Sequence, residues 1–147
     1  MGAHDGEEQD DYNKLEWGPV TWVEALPSKV RLLSQRLEAP HSVIEACVWD
    51  TNQTEMVLHE TNNGQSTSLF EFGTHESNYP EIEVIDEIKV LTKRLDSLDI
   101  DFHQIDFLNL DIQGAELQAL KGMGEKMLEI SYVYSEVNRE NVYKGCA

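Results

Sequence analysis

Asp106-Phe107-Leu108-Asn109-Leu110-Asp111-Ile112-Gln113-Gly114-Ala115-Glu116-Leu117-Gln118-Ala119-Leu120-Lys121-Gly122-Met123 sets the reading of the whole chain. The run from Ile105 to Leu110 is mostly apolar and stops at an acid, Asp111, as a strand buried in a parallel sheet does. From Gly114 the period changes. Leu117 and Leu120 fall on one helical face, and Gly122 and Gly124 are stop signals. Ile130 to Tyr134 is a second apolar run, completing strand, helix, strand. Strands joined by such a crossover are expected to lie parallel.

The N-terminal part repeats this order. Val20-Thr21-Trp22-Val23 reads as a buried strand ending at Glu24, and Pro27-Ser28 opens a helix with the stripe Val30, Leu33 and Leu37. Val43 to Trp49 reads as the next buried strand, running into Asp50. Ahead of these, residues 7–16 suit a short surface helix. In the middle, Met56–Glu60 and Ser66–Phe72 flank Asn62-Asn63-Gly64, a turn that favours positive φ and predicts a β-hairpin. Ile88 to Thr92 reads as a short strand and Leu95 to Leu98 as one helical turn. The expectation is an α/β protein, residues 1–147 as a single domain, with a mainly parallel sheet and an inserted hairpin.

The 147 residues hold 11 Lys and Arg against 28 Asp and Glu, a formal net charge of −17. Residues 37–88 carry eleven acids and no Lys or Arg, which argues against binding a phosphate backbone and so against a nucleic-acid partner. No apolar run exceeds four residues, so no membrane span is expected. Cys47 and Cys146 lack the spacing of a zinc site or disulfide framework. Met1 to Glu8 has neither the basic nor the apolar region of a secretory signal, and the expected compartment is the cytoplasm.

Ligands of open parallel sheets bind beyond the carboxyl ends of the strands. Here those ends deliver Glu24, Ala46 to Asp50, Asp111 and Glu136. A glycine-rich segment lies before the first helix, where backbone N–H groups can approach a ligand closely. An acid after the next strand can accept hydrogen bonds from ribose hydroxyls. Together these describe a site for a nucleoside-containing cofactor. There is no G-x-x-x-x-G-K phosphate cradle, and the absence of G-x-G-x-x-G argues against a dinucleotide oxidoreductase.

Five segments carry a family resemblance: Gly2-Ala3-His4-Asp5-Gly6-Glu7-Glu8, Trp22-Val23-Glu24-Ala25-Leu26-Pro27, Arg94-Leu95-Asp96-Ser97-Leu98, Asp106 to Met123, and Tyr134-Ser135-Glu136-Val137-Asn138. In this order the chain resembles the FkbM family of S-adenosylmethionine-dependent methyltransferases, over nearly its whole length. The D-x-x-G-A-E followed by L-x-G, after L-D-x-L, is the most specific part. The resemblance implies a Rossmann-like class I methyltransferase sheet and S-adenosyl-L-methionine as cofactor. It implies that Gly2, Ala3 and Gly6 wrap the methionine and ribose part, that Glu24 holds the ribose hydroxyls, and that Cys47 to Asp50 lie at the adenine. It places Asp111 near the methionine end and the transfer site, Glu116 as the second acid of the transfer site, and Glu136 and Asn138 toward the substrate. The implied reaction is methyl transfer to a hydroxyl of a small molecule or sugar. Asp111 would orient or deprotonate the acceptor, and no metal takes part.

Two departures from the family accompany this. Gln113 stands where many relatives carry Glu. Relatives also begin with an apolar strand before the glycine loop and continue past Ala147 with a helix and an antiparallel strand pair. The chain is therefore expected to be truncated at both ends, lacking the strand between those at 20–23 and 105–110. Open sheet edges would then favour oligomers. The alternative function is a non-catalytic remnant that binds cofactor weakly or associates through those edges. Each residue also has a structural reading: Asp111 as a helix cap, Glu116 as a favourable charge at a helix start, Glu136 and Asn138 as loop hydrogen-bonders. His4 reads as a surface residue, Ser66 to Ser68 as a polar hairpin strand, and the three tryptophans as core.

Overall fold

The computed structural model describes residues 1–146, which form two compact units, one ending at Cys47 and the other beginning at Val48. The first contains helix α1 (Gln9–Lys14), strand β1 (Thr21–Glu24), helix α2 (Pro27–Arg36) and strand β2 (Ser42–Glu45). β1 and β2 pair in parallel, Thr21 against Ser42 through Glu24 against Glu45, as the crossover predicts. Helix α2 begins as expected. Leu26 is extended and Pro27 takes the first helical position, where its missing N–H costs nothing. The helix buries Leu33 completely against Ala3 and Trp22, with Tyr12, Val20, Leu37 and Val43 packed around them. Burial of a leucine on this scale contributes about 2–3 kcal/mol. Trp22 is core, its indole N–H donating to Gln9 Oε1 at 3.2 Å. Trp17 is not: it stacks on Tyr12 at 5.7 Å and remains 48% exposed.

The expected strand Val43–Trp49 is broken in two. After β2 comes strand β3 (Cys47–Val48), with Ala46 between them. Beyond Val48 the second unit contains strand β4 (Glu55–Thr61), helix α3 (His75–Asn78), strand β5 (Val84–Lys93), strand β6 (Phe107–Leu110), helix α4 (Glu116–Lys121) and strand β7 (Tyr132–Ser135). A three-stranded sheet has the order β3-β5-β4, and β4 runs antiparallel to β5 from Glu55 against Leu91 to Thr61 against Val84.

The predicted hairpin is corrected here. Asn62-Asn63-Gly64 does turn: Gly64 has φ +72°, its N–H donates to the Thr61 carbonyl, and Asn63 Oδ1 accepts from Thr61 Oγ1 and the Ser66 N–H. Its second arm, however, makes a single bridge to β4 among the described residues, His59 with Ser68, beside the Thr61 N–H donating to Thr67 Oγ1. Residues 66–72 form isolated bridges, Ser68 with His59 and Phe72 with Tyr143, in place of a continuous ladder. The Ser68 hydroxyl donates to the Gln113 carbonyl at 2.7 Å, and Phe72 stacks on His75 at 4.2 Å. The main partner of β4 is β5, whose ten residues extend well beyond the expected Ile88–Thr92.

β6, α4 and β7 form the second parallel crossover, with Phe107 against Tyr132 through Leu110 against Ser135. Leu108 and Leu110 are buried, but Tyr132, Val133 and Tyr134 are exposed, although their run is apolar. Leu95, Leu110, Ala119 and Met123 lie at the centre of this unit's core, each without exposure. The fold is therefore α/β with several small sheets. Both crossover pairs are parallel, and the middle sheet contains the antiparallel pair. No helix among the described residues is long and apolar enough to cross a membrane.

Candidate active site

In the first unit the glycine loop is a built structure. Gly2 and Gly6 hold φ +70° and +66°, in the left-handed region where a Cβ is penalised. Gly6 has a second reason to be glycine: a Cβ there would stand 2.8 Å from Leu33 Cδ2. The Gly2 N–H donates to the Val23 carbonyl and the Gly6 N–H to the Ala3 carbonyl, at 3.1 and 2.7 Å. Ala3 is buried against the core, so the loop is anchored from beneath. Lys29 Nζ lies 2.8 Å from Asp5 Oδ1, and Arg36 donates to the Asp5 carbonyl. The Lys29 hydrogen bond is the largest influence holding the Asp5 carboxyl below its usual range.

Glu24 closes the loop. It is buried, its Oε2 accepts the His4 N–H at 2.9 Å, and its Oε1 accepts the Ala25 and Leu26 N–H groups, both at 2.8 Å. Each carboxylate oxygen carries two lone pairs. Oε1 is therefore filled, and Oε2 has room for one further donor rather than the two hydroxyls expected of this acid. His4 is not the surface residue expected: with φ +44°, both ring nitrogens are buried and make no hydrogen bond among the described residues, Nδ1 standing 3.7 Å from Asp5 Oδ2. Cys47 is buried, and its thiol is pushed up to about 12, first by burial and then by the Glu24 charge. It is a neutral packing group, not a nucleophile.

In the second unit the register of β6 and β7 explains why two acids meet. Leu110 and Ser135 are partners, and the Glu136 N–H donates to the Leu110 carbonyl at 3.1 Å, so Asp111 and Glu136 leave adjacent strands at the same level. Glu116 joins them from the first turn of α4, and one oxygen of each acid lies within 4.8 Å of the others. Burial, followed by the Asp111 and Glu116 charges, raises the Glu136 carboxyl above its usual range. Asp111 and Glu136 are exposed, whereas Glu116 is buried. Glu116 Oε1 accepts the Ile112 and Gly114 N–H groups, at 2.9 and 3.2 Å, satisfying two donors ahead of the helix. An acidic cluster of this kind does not identify a metal centre. Asn138, half-buried two residues past Glu136, makes no side-chain hydrogen bond among the described residues.

Asp50 is half-buried, and its carbonyl accepts from Arg94 Nη1 at 2.9 Å. Arg94 also grips Asp96 through two hydrogen bonds, which hold the Asp96 carboxyl low.

A family model described as the methyltransferase FkbM domain matches residues 1–146. The chain belongs to the FkbM methyltransferase family. No curated protein and no solved structure matches it. Methyl transfer is thus the general activity that family membership implies. The FkbM domain's most specific motifs have packing reasons. Gly114 has φ +100°, and a Cβ there would lie 3.1 Å from Cys146 Cβ and 3.3 Å from Tyr143 Cδ2. A Cβ on Gly122 would lie 2.3 Å from the Trp49 carbonyl oxygen, and the Gly122 carbonyl accepts the Asp96 N–H. The L-D-x-L and L-x-G segments of this FkbM domain therefore meet directly.

In sequence Gln113 is a departure from the family, and Tyr143 lies outside every motif. In the structure Gln113 Nε2 donates to Asp111 Oδ1, while Gln113 Oε1 accepts from the buried Tyr143 hydroxyl, both at 2.5 Å. Gln113 had a signal in its place two residues after Asp111. Tyr143 had none, being 30 residues away from its partner.

Proposed function

We propose that this FkbM domain binds S-adenosyl-L-methionine and directs its methyl group to a hydroxyl of a small molecule or sugar. Each unit holds one parallel strand–helix–strand crossover, the element from which a Rossmann-like class I methyltransferase fold is built. The observation that carries the reading is the glycine loop of Gly2, Ala3 and Gly6, gripped by Glu24 at the end of β1 with one lone pair of Oε2 left over. The donor set suits the cofactor. Bare backbone at positive φ admits close approach, a carboxylate can accept a ribose hydroxyl, and the acidic chain favours a sulfonium cation.

When bound, the cofactor supplies an electrophilic methyl carbon. The chain's residues do the rest. In the first unit Glu24 accepts one ribose hydroxyl, and buried Cys47 offers an apolar contact at the adenine. In the second unit Asp50 adds a polar contact at the cofactor. Asp111, one oxygen engaged by Gln113, keeps lone pairs that orient the acceptor hydroxyl and take its proton. Glu136 and Asn138 contact the acceptor, with Glu136 holding a proton more readily than an ordinary carboxyl. Glu116 is reassigned: bound to two backbone N–H groups, it shapes the Asp111 turn instead of acting on substrate. Alignment of acceptor and methyl carbon supplies most of the rate.

Calorimetric titration of the folded chain with S-adenosylhomocysteine tests the reading. The expected result is a dissociation constant of about micromolar order, weakened by about tenfold or more in Glu24→Gln, whose amide NH2 would face an N–H donor that a carboxylate oxygen accepts. A well-folded sample that gives no binding overturns the proposal and leaves the non-catalytic remnant in its place.

A further inference from the structure

We propose that Tyr143, acting through Gln113, is a positioning residue that holds the Asp111 carboxylate in one orientation toward the acceptor. The proposal rests on the reading of Asp111 given above.

Asp111 is exposed, and left alone its short side chain would rotate among staggered positions beside two other acids. Gln113 prevents this, because it is itself held at three points. Its backbone occupies φ +55°, its carbonyl accepts from Ser68 Oγ at 2.7 Å, and its side-chain oxygen accepts from the Tyr143 hydroxyl. Ser68 is equally fixed: it is buried, its Oγ also accepts the Phe70 N–H, and its backbone exchanges two hydrogen bonds with His59. Tyr143 is 1% exposed, with its ring against Phe72 and His75 at 6.1 and 5.5 Å. The close approach of Tyr143 to this turn depends on Gly114, as its missing Cβ shows.

In this chain the amide at position 113 fixes the direction of both hydrogen bonds. A carboxylate only accepts, so the end of Gln113 facing Asp111 must be the NH2, and its oxygen must then face the phenol. The phenol has its own proton to donate, and burial keeps that proton in place by raising the group well above its usual range. A carboxylate at position 113 would offer Asp111 no donor and would add a fourth negative charge beside Asp111, Glu116 and Glu136. The direction of the whole relay, phenol to amide to carboxylate, follows from donor and acceptor count alone.

The test reads side-chain order by nuclear magnetic resonance in the full chain without cofactor. In the wild type, three-bond couplings about χ1 of Asp111 should show a single staggered position, and one Gln113 NH2 proton should be shifted downfield. Tyr143→Phe keeps the stacked ring and removes only the hydroxyl; Gln113→Leu removes the donor. Both should lose the single-position pattern at Asp111 and give a rotamer average, with Tyr143→Phe retaining its thermal midpoint. A purely structural Tyr143 would leave the Asp111 couplings unchanged in Tyr143→Phe, which overturns the proposal. Should both variants misfold, the wild type still decides. Gln113 NH2 protons at solvent-like positions, or an averaged Asp111, refute the relay. Calorimetry with S-adenosylhomocysteine on the same samples separates the two claims. Binding with a disordered Asp111 refutes the relay alone, and an ordered Asp111 without binding refutes the cofactor reading alone.

Discussion

Truncating Glu116 should be among the most damaging changes in the second unit, although the residue carries the look of a catalytic acid. The structure gives it two partners, the Ile112 and Gly114 N–H groups at 2.9 and 3.2 Å, in a place where the side chain is 7% exposed. Glu116→Ala leaves both donors without this acceptor, the Gly114 N–H in a buried place and the Ile112 N–H in a half-buried one. A stranded buried donor costs about 1–3 kcal/mol, and a lost carboxylate in the first turn of a helix costs about 0.3–1 kcal/mol more. Removing a charge beside Asp111 and Glu136 returns part of this. The net expectation is a loss of about 2–4 kcal/mol, against a total of about 5–15 kcal/mol for an ordinary domain. Glu116→Gln keeps one oxygen for the same donors and should lose only about 1 kcal/mol. Urea unfolding followed by circular dichroism measures the stability, and amide exchange locates the effect. Protection at Ile112 and Gly114 should fall by about a hundredfold in the alanine variant, more than at the β4–β5 amides. If the two variants are equally stable and lie within about 0.5 kcal/mol of wild type, the capping argument fails and Glu116 returns to the list of candidate reactive groups.

Other outcomes follow from the same geometry. Leu33→Ala should cost about 2–5 kcal/mol, because the side chain has no exposure and supports the glycine loop through Gly6; urea titration of the first unit's tryptophan fluorescence reads it. Gly122→Ala has an allowed backbone but sets a Cβ 2.3 Å from the Trp49 carbonyl, so a loss of about 1–3 kcal/mol is expected from the thermal midpoint. His75 is buried against Phe72, Tyr79 and Tyr143, and burial lowers its pKa below the ordinary 6.5. The unfolded chain then binds the proton first. This contribution to stability is complete above about pH 6.5 and is lost as pH falls toward the lower folded value. His75→Phe should flatten the fall in urea midpoint between about pH 7 and about pH 5.5; an unchanged slope would refute the assignment.

Much of the architecture was legible because it rests on local period. The 3.6-residue stripe of Val30, Leu33 and Leu37 and the start at Pro27 place α2, and the switch from apolar run to helix around Asp111 places β6 and α4. The hairpin was misread because Asn62-Asn63-Gly64 specifies a turn but not its partner. Ser68 meets β4 at a single bridge with His59 and turns its hydroxyl to the Gln113 carbonyl, while Phe72 bridges Tyr143 and stacks on His75. Exposure of β7 was equally invisible, since an apolar run states a preference for burial and not whether anything covers it.

The site divides in the same way. Residue order alone places an acid after each crossover strand and a glycine-rich segment before the first helix, and it carries the motifs of the FkbM family. These are contiguous patterns, read one segment at a time. What each acid does depends on partners distant in the chain. Glu24 is engaged by His4, 20 residues earlier, and Asp111 is tied through Gln113 to Tyr143, 30 residues beyond Gln113. Glu116 turns inward to two N–H groups while Asp111 and Glu136 stay exposed, so three neighbouring acids have different surroundings. A hydrogen bond forms by distance in space, and folding alone sets that distance.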